Sequence, residues 1–526
     1  MSIYSLLLAL VISPALRTTR AEGCDPRVVT LPFKGQRLAN QAETRGLLLG
    51  IGTPKQDLSL VLCAAHHDTY IYDDNVSCND ETAKACTTSR GGFYDRSSST
   101  SAAPGLALNH ILDGPIANWT KEDMTLSDSS SLQDFEFGVS DRQLHAYRPQ
   151  AELGLGPNSS FVGALQAAGN ISSKSYSFYW GDEFTDQPYD GSVIFGGYDS
   201  SVVADVRNVT KKFTQSEPTN CPEGMVVELS EMKLASESGA LANIFEGLGA
   251  IKACVVPSMR NIMALHKPYG DRIIKGLGGI RADGGINGKF GGVLSNTAVI
   301  SPETATFKGN LSITLESGVT ITFSSRQLLL DGDPYLDSAG VIQRNASLTN
   351  IPIVVMYTDS TEMPRLGGMF FNSAYLMVNH DKSEFTIAPA RATPAKSDIV
   401  GIDSVHDCVA WLNGTTLLST STPEQNVSTP ASDSPGLKTS AIAGISVGAV
   451  AGVVSIAIIA FLFWRRRKGS PSETSGSGSA KDALVAEKDA SEVFEAFPGA
   501  QIHEAGFNER DSALELDGRT RLTELS

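Results

Sequence analysis

From about Ala39 to Ala390 the sequence alternates short β-rich runs with Gly, Asp-Gly and Pro turns, as in LLLGIGTP, SVIFGGYD, GVTITFSS and EFTIAPA. Runs of that length, bounded by turn residues, form strands. Helical patterning is confined to two stretches, SFVGALQAAG and MRNIMALHKPYGDRIIKGLG. The segment therefore reads as a predominantly β domain of about 350 residues, and because that is too large for one sandwich, as two β lobes. The chain's 526 residues are 41% hydrophobic and 19% charged, enough apolar material for two or more cores. Its formal net charge of -16 argues against a nucleic-acid partner, which needs concentrated Lys and Arg.

The ends carry different signals. Residues 1–21, with the apolar segment Leu6 to Ile12, read as a secretory signal. SAIAGISVGAVAGVVSIAIIAFLFW contains an apolar run from Ala441 to Trp464, enough to cross a hydrocarbon core of roughly 30 Å. Arg465, Arg466, Arg467 and Lys468 follow directly, and the positive-inside bias puts the C-terminus in the cytosol. The Ser/Thr/Pro-rich stretch 409–440 reads as a stalk, and 465–526 as a disordered acidic tail with room for a cytosolic partner. Asn-x-Ser/Thr acceptors at Asn75, Asn118, Asn158, Asn170, Asn208, Asn310, Asn345, Asn413 and Asn426 all precede the apolar segment. These features describe a single-pass type I membrane glycoprotein with its bulk outside the cell. In an oxidising compartment the seven cysteines favour disulfides, with Cys78 and Cys86 the best local pair. Cys24 and Cys408 flank the body and could pair, Cys221 and Cys254 stay unassigned, and Cys63 is the candidate for the odd thiol.

GIGTPKQDLSLVL, Gly50 to Leu62, resembles the N-terminal lobe of pepsin-like aspartic proteases, where a Gly-Thr-Pro-x-Gln turn leads into an apolar strand ending on the first catalytic Asp-Thr-Gly. The likeness continues in family order over roughly residues 39–395, through FYDRSSST, AELGLGPNSS, SVIFGGYDSS and PRLGGMFFNSAYLMVNHDKSEFTIAPA. It implies a bilobal, mainly β acid-protease fold of the membrane-anchored fungal type, with lobes at 39–213 and 214–395. It also implies a long interlobe cleft for an extended peptide, no cofactor and no metal. The flap would fall on ILDG, with Ile111 in the position of the usual Tyr and Asp113 and Gly114 at its turn.

The catalytic positions depart from the family. The resemblance sets Cys63 where the first Asp belongs and Val256 where the second belongs, and no Asp-Thr-Gly or Asp-Ser-Gly occurs in the chain. Aspartic proteolysis needs two carboxylates sharing one proton, one acting as base on water and the other polarising the carbonyl. A thiol and an isopropyl group cannot do this, so the expectation is a protein that is not an enzyme. Asp68-Thr69-Tyr70 as a damaged catalytic triplet would put a bulky aromatic where the turn relies on Gly.

Three readings of CAAHHD compete. Cys63 and His66 could form a divergent nucleophile pair, or residual activity could survive. Cys63, His66, His67 and Asp68, with Cys254, could hold a metal, although successive strand side chains face opposite ways. The reading adopted is a drifted loop with a small buried Cys and solvent-facing histidines. The functional expectation is a surface protein that binds peptides, senses or adheres, with a ligand-free structural glycoprotein as the other non-enzymatic possibility.

Overall fold

The computed structural model describes residues 24–412 except 79–81, 107–116, 128–129, 143, 145–148, 184–187, 205–206, 215–219, 280, 287–292, 295, 357–359 and 392–395. The signal, the apolar segment and the acidic tail lie outside the described residues. Among those described, no helix is long and apolar enough to cross a membrane.

Strands dominate, as the short-run pattern predicts. In Asn118–Ser127 the alternation is plain, with Thr120, Glu122, Met124 and Leu126 buried and their neighbours more open. Val29–Arg37, Glu43–Ile51 and Gln56–Cys63 stand side by side within a thirteen-stranded sheet, and an eleven-stranded sheet forms the second lobe around Val226–Ser236 and Ile251–Val256. Ala374–Asn379 and Glu384–Pro389, counted with the second lobe on sequence, join the first sheet by pairing with Ser175–Asp182 and Val209–Lys212. The two lobes therefore share a sheet as well as a core: Phe178 and Phe371 meet at 5.8 Å within one apolar cluster that runs through both.

Each lobe repeats one motif. In the first, Gln56–Cys63 lies parallel to Glu152–Gly154, with Val61 opposite Glu152 and Cys63 opposite Gly154. In the second, Ile251–Val256 lies parallel to Arg365–Gly367, with Cys254 opposite Arg365 and Val256 opposite Gly367. Parallel neighbours require long crossovers, and both crossovers here return to a glycine. Cys63 and Val256 are thus equivalent positions of a repeated unit.

Helices are few among the described residues. Ser160–Ala167 forms where SFVGALQAAG predicts it, its start fixed by the Ser159 hydroxyl accepting from the Val162 amide at 3.1 Å. The second helical stretch is only half helix. Met263–His266 is a buried strand parallel to Ile353–Met356, and the helix Lys267–Gly276 begins where Pro268 occupies its first turn. Burial in a central sheet position overrides the helix propensity of Met, Ala and Leu.

Three disulfides lock the body: Cys24–Cys408, Cys78–Cys86 and Cys221–Cys254. Cys408–Trp411 is a strand paired with Ile399–Asp403, so residues 409–411, read as stalk, belong to the folded body.

Candidate functional site

The apolar strand Gln56–Cys63 delivers Cys63 to its buried end, and the chain then leaves the sheet through Ala64, Ala65, His66 and His67. Backbone bonds pin that loop against the segment after Glu152. The Leu155 amide donates to the Cys63 carbonyl at 2.8 Å, and the Gly156 amide donates to the His66 carbonyl at 2.8 Å. The result places the His66 imidazole beside Glu152, Nδ1 to Oε2 2.9 Å, with the Glu152 side chain fully buried and that of His66 only 15% exposed. Cys63 Sγ, a His66 ring nitrogen and a Glu152 carboxylate oxygen lie within 4.8 Å of one another.

Electrostatics follow from this crowding. Burial works against a charged imidazolium, but the Cys63 sulfur and the Glu152 carboxylate outweigh it and push His66 up to about 10. His67 takes the other course. Its Nδ1 accepts from the Asn158 amide at 3.3 Å, and burial lowers its pKa. The histidines are therefore not a solvent-facing pair: the fold encloses His66 because Glu152 offers a buried partner, while His67 turns toward the 156–158 loop. Cys254, a possible metal ligand on sequence, is bound to Cys221.

Val256, the equivalent strand end, has an apolar environment. It packs with the Cys221–Cys254 pair, Val226, Met259 and Met363. Between the lobes lies a cavity of about 240 Å³, lined by Val61 and Gln150 from the first lobe and by Ser258, Arg260 and Arg365 from the second. Arg260 forms an ion pair with Glu183 at 3.0 Å, tying the loop after Val256 to the shared sheet.

A family model described as eukaryotic aspartyl protease matches residues 47–211. A probable aspartic-type endopeptidase opsB of Aspergillus oryzae is 25% identical over 404 residues, covering 71% of this chain and 74% of that protein. Residues 47–211 are thus similar to the pepsin-like aspartic proteases. The aspartic proteinase from Irpex lacteus aligns over 70% of this chain and 99% of its own, at 14% identity and a TM-score of 0.46.

Within this pepsin-like chain, Ile111, Asp113 and Gly114 of the expected flap lie outside the described residues, as do Asn413 and Asn426. Asn75, Asn118, Asn158, Asn208 and Asn310 are exposed, and Asn345 is half-buried. The amide nitrogen of Asn170, which a glycan would have to reach, is buried. Glu152 is the residue that sequence reasoning missed. Its signal was a lone carboxylate inside the otherwise apolar AELGLG.

The pepsin-like loop at Cys63 depends on glycine opposite it. A Cβ at Gly154 would sit 2.2 Å from the Asp68 carbonyl oxygen and 2.8 Å from its amide nitrogen, so main chain would have to move. Gly154→Ala is expected to cost about 2 kcal/mol of stability, read from the denaturant midpoint.

Proposed function

We propose that this protein is a pepsin-like membrane glycoprotein without aspartic proteolysis, whose interlobe cleft binds an extended peptide at the cell surface. The observation that carries this reading is the pair of equivalent strand ends. Where two carboxylates would have to share a proton, the chain has Cys63 and Val256. Val256 cannot titrate, and an acid introduced into its apolar cluster would pay a desolvation penalty.

The cleft supports binding as the retained capability. Strand backbones and side-chain pockets recognise extended peptides by adding hydrogen bonds along a groove, and the cavity between the lobes supplies both apolar walls, such as Val61, and polar groups, such as Gln150 and Arg365. The surface setting is supported by the Ala441–Trp464 apolar run, the basic cluster after it and the acceptor sites confined to one side of it.

Incubation of the protein with a diverse peptide mixture across acidic and neutral pH is expected to yield no cleavage, while some peptides are retained on the immobilised protein. Cleavage that persists in a Cys63→Ala variant would overturn the non-enzymatic reading outright. Cleavage abolished by that variant would replace it with a thiol endopeptidase.

A further inference from the structure

Cys63, His66 and Glu152 form a cluster that peptide binding leaves unexplained. The donor atoms converge: sulfur, ring nitrogen and carboxylate oxygen are mutually within 4.8 Å, and the nitrogen–oxygen pair is at 2.9 Å. We propose that these three side chains bind one divalent cation of the zinc class.

The arrangement fits a cation better than a proton relay. In a relay the imidazole stands between thiol and carboxylate, so two hydrogen bonds of roughly 3 Å each, plus the ring, separate sulfur from oxygen. Here sulfur and oxygen lie within 4.8 Å of each other, too close for the ring to stand in line between them. Ligands at about 2.0–2.3 Å from a tetrahedral zinc ion stand roughly 3–4 Å apart, which needs little adjustment from this geometry. The donor set is one that zinc accepts: a thiolate, an imidazole and a carboxylate. Thiolate and carboxylate together carry two negative charges, which a divalent ion with a neutral imidazole balances. Binding then releases to solvent the proton held by the His66 ring and any proton on the Cys63 sulfur.

The scaffold is already set. The backbone bonds from Leu155 and Gly156 to the carbonyls of Cys63 and His66 hold the ligand loop against the segment that carries Glu152. Val61, two residues before Cys63 on the same strand, lines the interlobe cavity, and alternate strand residues share a face, so an ion would enter from that side. The repeated motif supplies an internal control. At the equivalent positions the second lobe has Val256 and Arg365, with Met259 three residues after Val256, and no ligand set is possible there. The other group of ligand-type residues among those described, Cys221, Glu223 and Cys254, has both sulfurs tied in a disulfide and offers no thiolate. Among the described residues this leaves one ion site, and it holds whether or not the cleft retains a peptide.

The test is titration of the full-length protein with cobalt(II), followed by absorbance. The expected result is a thiolate-to-cobalt charge-transfer band that saturates at one ion per chain. Because the other six cysteines are disulfide-bonded, such a band in the wild-type protein reports Cys63 without recourse to a variant. Cys63→Ser should abolish the band. Glu152→Gln should weaken binding at least about tenfold, the loss that even outer-shell partners bring, with circular dichroism checking that each variant is folded. A wild-type protein that takes up cobalt without a thiolate band, or takes up none, would overturn the site. So would a folded Glu152→Gln variant with unchanged affinity.

Discussion

Replacing His66 with alanine is expected to destabilise the protein by about 3–5 kcal/mol in urea unfolding at neutral pH, the cost typical of removing one partner of a buried ion pair. Glu152 is fully buried, and the substitution removes the imidazole that stands 2.9 Å from its carboxylate. Replacing both residues together with leucine should recover most of the loss, because apolar groups of similar volume carry no desolvation penalty. The pH dependence gives a second reading. His66 is raised from 6.5 to about 10, so its contribution is fully present below pH 6.5 and is lost as pH rises through 10. The gap between wild type and His66→Ala should therefore narrow steadily over that alkaline range. A single variant within about 1 kcal/mol of wild type at pH 7 would mean that Glu152 does not depend on His66.

Acid should expose a second histidine. His380 sits in the turn between Ala374–Asn379 and Glu384–Pro389, where its Nε2 lies 3.1 Å from the Leu155 carbonyl, donating to it in the neutral ring. The Phe213 ring stacks on it with centroids 5.6 Å apart. Burial pushes His380 down to about 4, against the opposing pull of the Leu155 carbonyl and Asp381. The unfolded chain therefore binds a proton near pH 6.5 that the folded chain refuses until about pH 4. Stability is complete above 6.5 and falls as pH drops toward 4, by about 2–3 kcal/mol allowing for the ring's partial exposure. A His380→Gln variant, which cannot titrate, should lose that much less than wild type over the same interval. Parallel losses in the two proteins would remove His380 from the account. A body penalised in acid is an awkward host for a carboxylate pair that works by sharing a proton, and this agrees with the non-enzymatic proposal.

The strand-rich class and the helix Ser160–Ala167 were legible because periodicity and turn residues are local properties. The short loop between Cys78 and Cys86 marked a disulfide for the same reason. Partnerships across distant segments were harder to read. Glu152 meets His66 only because Val61 pairs with Glu152 in a parallel register, and nothing in either segment alone specifies that register. The return of Ala374–Asn379 to the first sheet was hidden likewise, since a strand's pattern says which face is buried and not which neighbour it pairs with. The strand Met263–His266 lies within a stretch of helical pattern because three buried residues and a half-buried one are too few to display a period. His66 looked exposed in a sequence of polar residues after a strand, and only the buried carboxylate explains why it is not.

The Cys24–Cys408 bridge joins the two ends of the folded body at a Cα separation of 6.2 Å. Tension applied to the chain beyond Cys408 would pass at once to Cys24 and the covalent loop between them. No strand between these two cysteines, 384 positions apart, could be peeled away end first. Under load, the body would behave as a closed link: extension would be confined to residues outside the bridge, and the cleft between the lobes would keep its shape while the chain outside it stretched.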